Sequence, residues 1–380
     1  MKYAILGGSF DPVHCGHLKL ANAALDAGYD RVIFVPAFQS PYKGEGQQMQ
    51  AERRLEVLLA ALGADSRWTV DACEIKREGV SYTIDTLRDI IVRYPSEARP
   101  ALVLGDDLSA DFLRWKDADK IAELADFVIA RRKPGGPAFP YPHKMLDNEI
   151  WDVSSAEIRE CFNLWPSWRG LVPEGAVRMI RSRKYYWQAQ DVEWTPALLQ
   201  VPADAPGFLS YMEDSVRGAL DLYRYLHSRN VALHSSDLAL RFGLDAKKAY
   251  LAGIAHDMAR ELRPSDMFSL AERDGLPFSQ LELDEPFLLH GRAAAVMLVE
   301  RFGVEDADVL EAVRFHTMGS PHLGALGKIV CLADKIEVGR PNVDPEFRRL
   351  AFGPDALCDL DALFNLVKKA ADRHLKETLP

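Results

Sequence analysis

His14 and His17 are the first residues of the chain whose types and spacing point to chemistry. They lie in the run Gly7-Gly8-Ser9-Phe10-Asp11-Pro12-Val13-His14-Cys15-Gly16-His17, between a short apolar segment and an Ala-rich helical pattern. Two imidazoles three residues apart share one face of a first helical turn. Backbone N–H groups at a helix start bind phosphate, and histidines beside them can stabilise charge on a phosphoryl group during transfer. The run therefore predicts a site for phosphoryl or nucleotidyl transfer.

A second set of chemistry-bearing residues lies in the last 150 residues. It consists of histidines and aspartates at five separate places: His234, His256, Asp257, His290, His316 and Asp334. His256 and Asp257 follow the apolar helical run 251–255, and burying an imidazole and a carboxylate there is costly without a partner. A bound metal is such a partner, and this donor set suits iron, manganese or zinc. The pattern predicts a metal site.

The elements that must position the first site alternate between strand and helix. The predicted strands are 3–6, 31–36, 68–71, 100–104 and 126–130, and the predicted helices are 18–27, 52–62, 83–94 and 155–162. This alternation predicts an α/β domain with a parallel sheet that helices cover on both faces. Ligands of such sheets bind beyond the carboxyl ends of the strands.

The elements around the second set have a different pattern. After Gly207 strand candidates disappear, and helical patterns cover 212–230, 235–241, 246–260, 291–301, 306–315 and 324–338. We expect an all-α domain here. Residues 188–206 combine tryptophans and prolines without periodicity, so the predicted division is a first domain at 1–187, a linker at 188–206 and a second domain at 207–380.

Composition excludes several classes of protein. The net charge of −10 argues against a general nucleic-acid binder, which usually has a basic balance. The five cysteines are scattered and form no CxxC pair, so neither a disulfide framework nor a zinc knuckle is indicated. A strand begins at once with no signal peptide, and no apolar run reaches the roughly 18 residues of a membrane helix. These features favour a cytoplasmic protein with neither nucleic acid nor membrane as partner.

The glycine–histidine run resembles the nucleotidyltransferase superfamily marked by His-x-Gly-His, whose members include adenylyl- and cytidylyltransferases on a Rossmann-like fold. Residues 81–87 (SYTIDTL) resemble the Ser-Tyr-Thr-x-x-Thr-Leu signature of bacterial nicotinate-mononucleotide adenylyltransferases. Segments 105–116 and 154–159 are similar to further motifs of that family, and the resemblance covers residues 1–187. The chain departs from the family pattern at Tyr42, where histidine is usual, and at Ala156, where threonine is usual.

This resemblance implies transfer of AMP from ATP, with Mg²⁺, to nicotinate mononucleotide, which gives deamido-NAD and pyrophosphate in NAD biosynthesis. His14 and His17 would contact the ATP phosphates as catalytic residues. The ATP-binding residues would be Gly7, Gly8, Ser9, Phe10, Gly16, Gly105, Asp107, Ser154, Ser155 and Arg159. The mononucleotide-binding residues would be Lys43, Tyr82, Thr83, Thr86, Trp115 and Arg131. Nicotinamide mononucleotide and phosphopantetheine remain alternative acceptors.

The histidine–aspartate set resembles the HD phosphohydrolase superfamily. Segments 289–291 (LHG), 314–317 (RFHT) and 333–337 (ADKIE) with Arg340 look like its bacterial symmetrical bis(5′-nucleosyl)-tetraphosphatases, over residues 207–375. The resemblance implies hydrolysis of diadenosine tetraphosphate, a dinucleoside polyphosphate, to two ADP by a metal-activated water. A nucleotide-binding regulatory module is the alternative.

The same resemblance implies a role for each residue of the set. One transition metal, iron or manganese, would be held by His234, His256, Asp257 and Asp334, and a second by His290 and His316. Asp257 would bridge the two ions and act in catalysis. Lys335 and Arg340 would bind the polyphosphate.

Overall fold

The chain forms two compact units, Met1–Ala197 and Leu198–Pro380. The computed structural model describes residues 1–41, 48–96, 98–108, 111–132, 139–151, 153–161, 168, 170–186, 201–320, 322–341 and 343–378. Tyr42, the predicted contact Lys43 and most of the predicted linker lie outside the described residues.

The first unit is built on a parallel sheet of six strands in the order β3-β2-β1-β4-β5-β6. The strands are β1 (Tyr3–Gly8), β2 (Arg31–Pro36), β3 (Trp68–Val70), β4 (Ala101–Gly105), β5 (Asp126–Ala130) and β6 (His143–Met145). The helices are α1 (Cys15–Asp26), α2 (Ala51–Leu62), α3 (Cys73–Arg77), α4 (Thr83–Arg93), α5 (Ala118–Leu124), α6 (Ser155–Cys161) and α7 (Glu174–Arg183). The predicted α/β fold with a Rossmann-like parallel sheet is confirmed.

The apolar content of the strands accounts for this sheet. β1, β2, β4 and β5 are almost entirely buried apolar runs, as expected where helices cover both faces of a parallel sheet. The edge strand β6 is exposed along its length and carries a histidine and a lysine, so no apolar run predicted it. The order of the strands reverses between β1 and β4, and a crevice for ligands is expected at their carboxyl ends.

The second unit is helical, and none of its described residues lies in a strand. Its helices are α8 (Phe208–Ala219), α9 (Leu222–Arg241), α10 (Ala246–Ala255), α11 (Pro264–Ala271), α12 (Gln280–Asp284), α13 (His290–Phe302), α14 (Ala307–Phe315), α15 (Ala325–Ile336), α16 (Pro345–Phe352) and α17 (Leu360–Thr378). None of the described helices of the chain is both long and apolar enough to cross a membrane.

The helix boundaries near the start of this unit differ from the prediction. The pattern predicted helices at 212–230 and 235–241, whereas the break lies between α8 and α9, and α9 continues without interruption to Arg241. Asp221 causes the break because its side chain accepts hydrogen bonds from the N–H groups of Tyr223 and Arg224 and so caps α9. Most residues of this helix between Tyr225 and Ala239 are buried in the helical unit.

Candidate functional sites

A cavity of about 570 Å³ opens at the carboxyl ends of β1 and β4 in the first unit. Its wall includes residues from both ends of the predicted transferase site. These residues are Gly7, Gly8, Ser9, His17, Tyr82, Thr83, Thr86, Gly105, Asp107 and Trp115. The predicted phosphate-binding loop and the predicted acceptor-binding segment therefore meet in one cavity.

The two histidines at the start of α1 have different surroundings. His17 lines the cavity, and its Nδ1 accepts a hydrogen bond from the N–H of His14 at 3.2 Å, which places the proton of the neutral ring on Nε2. The His14 ring is 3% exposed and its centroid lies 3.7 Å from that of His17. Burial, helped by the charge of Arg132, lowers the pKa of His14 to about 4. His14 is therefore neutral near pH 7.

A buried arginine holds the loop between β1 and α1 in place. The Arg54 guanidinium donates hydrogen bonds to the carbonyls of Ser9 at 2.5 Å, Ala37 at 2.6 Å and Met49 at 2.9 Å. Phe10 has a φ of 46°, and its buried ring packs against the ring of His17 with centroids 4.9 Å apart. The predicted ATP contact Phe10 is therefore not in the cavity wall, because its side chain supports His17 from behind.

The acceptor end of the cavity contains an aromatic residue and a hydrogen-bonded polar group. The Trp115 ring packs against Phe112 with centroids 5.1 Å apart, and its buried Nε1 has no hydrogen-bond partner among the described residues. Thr86 donates its hydroxyl proton to the Glu74 carboxylate and accepts a hydrogen bond from Arg77 at 3.0 Å. The Thr86 hydroxyl is thus already engaged, and Glu74, which the sequence analysis missed, lies in the same wall.

Helix α6 contacts the loop rather than the cavity. Ser155 Oγ donates to the Pro12 carbonyl at 2.9 Å, and Arg159 Nη1 donates to the Asp11 carbonyl at 2.5 Å. Ser154 Oγ accepts from the N–H of Glu157, and the Glu157 carboxylate accepts from the N–H of Ser154, which closes a capping box at the start of α6. All three residues were predicted to bind ATP. None of them is in the wall of the large cavity, and Ser155 and Arg159 instead hold the loop.

The first metal-binding group of the second unit joins α9, the end of α10 and α15. His227, His256 and Asp257 offer ligand atoms that all lie within 4.8 Å of one another. His227 Nε2 lies 3.2 Å from Asp334 Oδ1, and His256 Nε2 lies 3.7 Å from Asp257 Oδ2 and 3.8 Å from Asp334 Oδ1. Two imidazoles and two carboxylates therefore converge on one point.

The second metal-binding group shares Asp257 with the first. It consists of Asp257, His290 at the start of α13 and His316 at the end of α14. Asp257 Oδ1 lies 3.1 Å from His290 Nε2 and 3.7 Å from His316 Nε2, while the other carboxylate oxygen faces the first group. Thr317 Oγ1 lies within 3.1 Å of both Nε2 atoms. Asp257 is thus the bridging carboxylate between two sets of donors.

Each of the four imidazoles of the two groups is oriented by an oxygen at its Nδ1, as the histidine ligands of metals usually are. Each Nδ1 lies within hydrogen-bond distance of an oxygen, which places the proton there and leaves the Nε2 lone pair for a metal. The acceptors are Glu337 Oε1 for His227 at 3.2 Å, Gly253 O for His256 at 2.7 Å, Phe287 O for His290 at 2.5 Å and Val313 O for His316 at 2.8 Å. His256 Nε2 is buried without a hydrogen-bond partner. The residues therefore fit a divalent metal.

The carboxylates of this cluster stay charged although they are buried. Burial alone would raise the pKa of Asp334, but the hydrogen bond from His227 and the charge of Arg340 outweigh it and hold that pKa well below its usual range. The pKa of Asp257 is also well lowered, because three neighbouring histidines (His256, His290 and His316) outweigh burial. Arg340 Nη2 lies 2.5 Å from Asp334 Oδ1, and Lys335 Nζ lies 4.0 Å from Asp334 Oδ2. Both predicted polyphosphate-binding cations therefore adjoin the cluster.

Comparison with known proteins separates the same two parts of the chain. Residues 5–161 match the cytidylyltransferase-like family model and residues 224–339 match the HD domain model. The chain is 38% identical over 202 residues to a probable nicotinate-nucleotide adenylyltransferase of Treponema pallidum, a match that covers 49% of this chain and 99% of the relative. A probable nicotinate-nucleotide adenylyltransferase of Opitutus terrae is 35% identical over 200 residues, 50% of this chain and all of the relative. The chain belongs to the nicotinate-nucleotide adenylyltransferase family. 

This adenylyltransferase-family chain is also similar to a protein of known structure with a different description. A crystal structure from Clostridium acetobutylicum, described as a "predicted HD superfamily hydrolase involved in NAD metabolism", is 31% identical, covers 43% of this chain and 87% of that protein, and has a TM-score of 0.38. The two family-model matches, at residues 5–161 and 224–339, confirm the predicted combination of a nucleotidyltransferase domain and an HD domain.

In the adenylyltransferase domain, Arg132 rather than the predicted mononucleotide contact Arg131 lines the large cavity. Arg131 is exposed, and its backbone exchanges hydrogen bonds with the Asn148 side chain. It lines only a recess of about 20 Å³ beside His14 and Gly16, whereas Arg132 lines both this recess and the large cavity. Adjacent residues at a strand end point in opposite directions, and the sequence alone did not indicate which one turns inward.

In the HD domain, the prediction of His234 as a metal ligand is corrected to His227. His234 Nδ1 lies 2.8 Å from the Asn230 carbonyl and its ring packs against Phe352, and His234 belongs to neither metal-binding group of the described residues. His227 and His234 are seven residues apart, so they share a face of α9 but lie two turns apart. The position along α9 at which α10 and α15 pack determines which of the two histidines joins the donors, and no local sequence pattern indicates that position.

Proposed function

We propose that the first unit transfers AMP from ATP to nicotinate mononucleotide, giving deamido-NAD and pyrophosphate. The observation that carries this proposal is the single cavity in which His17 and the glycine loop face the Tyr82–Thr86 segment and Trp115. Its volume of about 570 Å³ lies within the usual range for small-molecule sites. The similarity to nicotinate-nucleotide adenylyltransferases supports the choice of acceptor.

The residues of the cavity suit an in-line displacement that needs no enzyme nucleophile. An oxygen of the acceptor 5′-phosphate forms a bond to the α-phosphorus of ATP while the bond to the pyrophosphate oxygen breaks, and pyrophosphate leaves. His17 donates from Nε2–H to the phosphoryl oxygens, since its Nδ1 is fixed by the His14 amide. Arg132 adds positive charge, and Trp115 offers a flat surface to the pyridine ring. Catalysis then consists of positioning and charge stabilisation, and Mg²⁺ bound with ATP would offset its phosphate charge.

The test is an acceptor-specificity assay on the full chain. Pyrophosphate release from ATP is measured with nicotinate mononucleotide, nicotinamide mononucleotide and phosphopantetheine at equal concentrations. We expect the highest kcat/KM with nicotinate mononucleotide and deamido-NAD as the product. Turnover with either other acceptor but not with nicotinate mononucleotide would overturn the proposal.

We further propose that the HD unit hydrolyses a dinucleoside tetraphosphate symmetrically to two nucleoside diphosphates. The observation that carries this proposal is the pair of donor groups joined by Asp257, with cations beside them. Arg224 Nη1 lies 3.1 Å from Asp257 Oδ2, and Arg340 and Lys335 adjoin Asp334. Positive side chains around a metal-binding cluster suit a substrate with several phosphates.

The residues of the chain divide the hydrolytic work between them. His227, His256, Asp257, Asp334, His290 and His316 would hold one or two ions, and their second-shell partners fix the rings. When bound, a divalent metal supplies Lewis-acid stabilisation and a water of lowered pKa. Water attacks one of the two central phosphorus atoms, the central P–O–P bridge breaks on that side, and Arg340 and Lys335 stabilise the diphosphate that leaves. Two diphosphates result, and the proton of the water goes to solvent.

Metal analysis and product analysis together test the hydrolase proposal. Purified protein is analysed for bound transition metals, stripped with a chelator, and assayed with diadenosine tetraphosphate after addition of iron or manganese. We expect ADP as the only nucleotide product and loss of hydrolysis on stripping. A protein that binds no transition metal and gains no hydrolysis from either ion would instead favour the regulatory-module alternative. Products of ATP plus AMP would contradict symmetrical cleavage.

A further inference from the structure

Beside the HD metal cluster lies an aromatic ring to which neither the sequence nor the similar proteins assign a role. Phe287 is 44% exposed, although it precedes the buried His290 by only three residues. Leu276, Leu281 and Leu283 on the preceding segment are exposed to a similar degree. An exposed aromatic ring close to a polar buried cluster suits a ligand that is apolar at one end and charged at the other.

The backbone ties this ring to the metal-binding cluster. The Phe287 carbonyl lies 2.5 Å from His290 Nδ1, so the backbone at Phe287 is fixed next to a member of the second donor group. The Arg260 guanidinium lies over the Phe287 ring, with Cζ 5.0 Å from the ring centroid. Its Nη1 lies 3.0 Å from His290 Nδ1 and 3.2 Å from the Phe287 carbonyl. A cation therefore lies between the aromatic surface and the donor cluster.

Arg260 reaches both of its neighbours through one nitrogen. Its Nη1 lies 3.0 Å from His290 Nδ1 and donates to the Phe287 carbonyl at 3.2 Å. The guanidinium keeps the carbonyl as one acceptor and has its remaining N–H groups available for an anion. With Arg224, 3.1 Å from Asp257, it forms a positive edge between cluster and ring.

We propose that Phe287 and Arg260 form the nucleoside-binding subsite of the HD unit: the base stacks on the Phe287 ring and the adjoining phosphate binds Arg260. Purines stack on aromatic and guanidinium planes alike, and such stacking does not depend on base-edge hydrogen bonds. The occupant is therefore a purine nucleotide whose phosphates extend to the metal cluster. This proposal rests on the proposed hydrolase function for the identity of the substrate.

Kinetics of the full chain with the substitution Phe287→Ala provide the first test. We expect KM for diadenosine tetraphosphate to rise about tenfold, a moderate loss for one stacked base. The inhibition constant of inorganic tripolyphosphate, which has no base, should stay within twofold, and so should the metal content. Phe287→Tyr should restore the original KM. Leu240→Ala, which removes a 69% exposed side chain on α9, is the matched control and should change neither constant.

Photolabelling provides a readout that needs no hydrolysis. The full chain is irradiated with 8-azido-ATP and the labelled peptides are mapped, with peptides of the adenylyltransferase unit as the internal positive control. Labelling of the peptide around residues 281–290 that decreases in Phe287→Ala supports the subsite even if the wild-type chain hydrolyses no tetraphosphate, so the two proposals fail separately. The absence of label in that peptide would overturn the proposal. So would an equal change in the tripolyphosphate inhibition constant and in KM for the nucleotide. A molecular mass that rises with protein concentration in the wild type but not in Phe287→Ala would also overturn it, because Phe287 would then lie in a contact between copies of the chain.

Discussion

The two candidate sites are built in opposite ways. In the adenylyltransferase unit, His17 and the glycine loop come from one stretch of eleven residues between β1 and α1, and their geometry is set by local backbone and the buried Arg54. In the HD unit, the candidate ligands come from five helices, with only His256 and Asp257 adjacent in sequence, and the packing of those helices brings the donors together. A contiguous site can be predicted from its motif, whereas a dispersed site can be predicted only as a set of candidates.

The two sites should also respond differently to substitutions and to small displacements of their residues. The loop residues are held by main-chain hydrogen bonds, such as that from Arg54 to the Ser9 carbonyl at 2.5 Å. Each histidine donor of the HD unit is fixed by a partner at its Nδ1, and a shift of two helical turns along α9 leads from His227 to His234, whose ring contacts Phe352 instead. Substitutions should therefore have local, separable effects in the first unit and effects on the whole cluster in the second.

The strongest test of separability is His17→Ala. Removing a donor that stabilises transition-state charge typically lowers kcat by about 10²–10³-fold. We expect a loss of this size in pyrophosphate release with nicotinate mononucleotide, and no change in metal content or in diadenosine tetraphosphate hydrolysis. Equal adenylyl transfer by the variant would refute the role of His17. A parallel loss of hydrolysis would show that the two sites are not separable.

The pair His227→Gln and His234→Gln tests how the dispersed site is assembled. Loss of a second-shell partner already costs about 10–100-fold in metal affinity, so loss of the ligand His227 should reach about 100-fold or more. His234→Gln should change metal affinity less than threefold, because its ring contacts Phe352 outside both donor groups. Titration of the metal-free protein with manganese, followed by calorimetry, gives both constants. A larger loss of metal affinity in His234→Gln than in His227→Gln would instead identify His234 as the ligand.

The pair Arg132→Ala and Arg131→Ala sharpens the comparison within the first unit. A charged hydrogen bond contributes about 1.5–3 kcal/mol, so loss of Arg132 from the cavity should lower kcat/KM for adenylyl transfer about 30-fold. Arg131 is exposed and lies outside the large cavity, and its removal should cost less than threefold. Steady-state kinetics with ATP varied at a fixed acceptor concentration decide between them. An equal loss of kcat/KM in the two variants would contradict the assignment of Arg132 alone to the substrate cavity.

The contrast between a contiguous and a dispersed site also explains which features of the molecule could be predicted from the sequence. The parallel sheet, the glycine–histidine loop and the helical HD unit follow from apolar runs and contiguous motifs, and the structure agrees with all three. The edge strand β6 has no apolar pattern, and the start of α9 depends on a single capping aspartate, Asp221. Arg132, Glu74 and His227 required knowledge of which way a strand end turns or how deeply helices cross, which depends on contacts distant in sequence.

The smallest expected effect concerns the pH dependence of the loop. His14 has a pKa of about 4 in the folded chain and about 6.5 when unfolded, so the unfolded state binds more protons between these values. Its contribution to stability is therefore complete above pH 6.5 and is lost as pH falls toward 4. Between pH 7.5 and pH 6.0 the loss amounts to about 1 kcal/mol in the free energy of unfolding.

Urea unfolding followed by tryptophan fluorescence measures this contribution in the full chain. All seven tryptophans lie between residues 68 and 194, so their emission reports the adenylyltransferase unit alone. His14→Gln cannot titrate and should lose about 1 kcal/mol less than the wild type over this pH interval. The difference between the two proteins cancels the groups that they share, such as the HD histidines. An identical pH slope in both would mean that His14 is not held neutral by burial, and the loop would then have to accommodate a charged imidazole beside the phosphates.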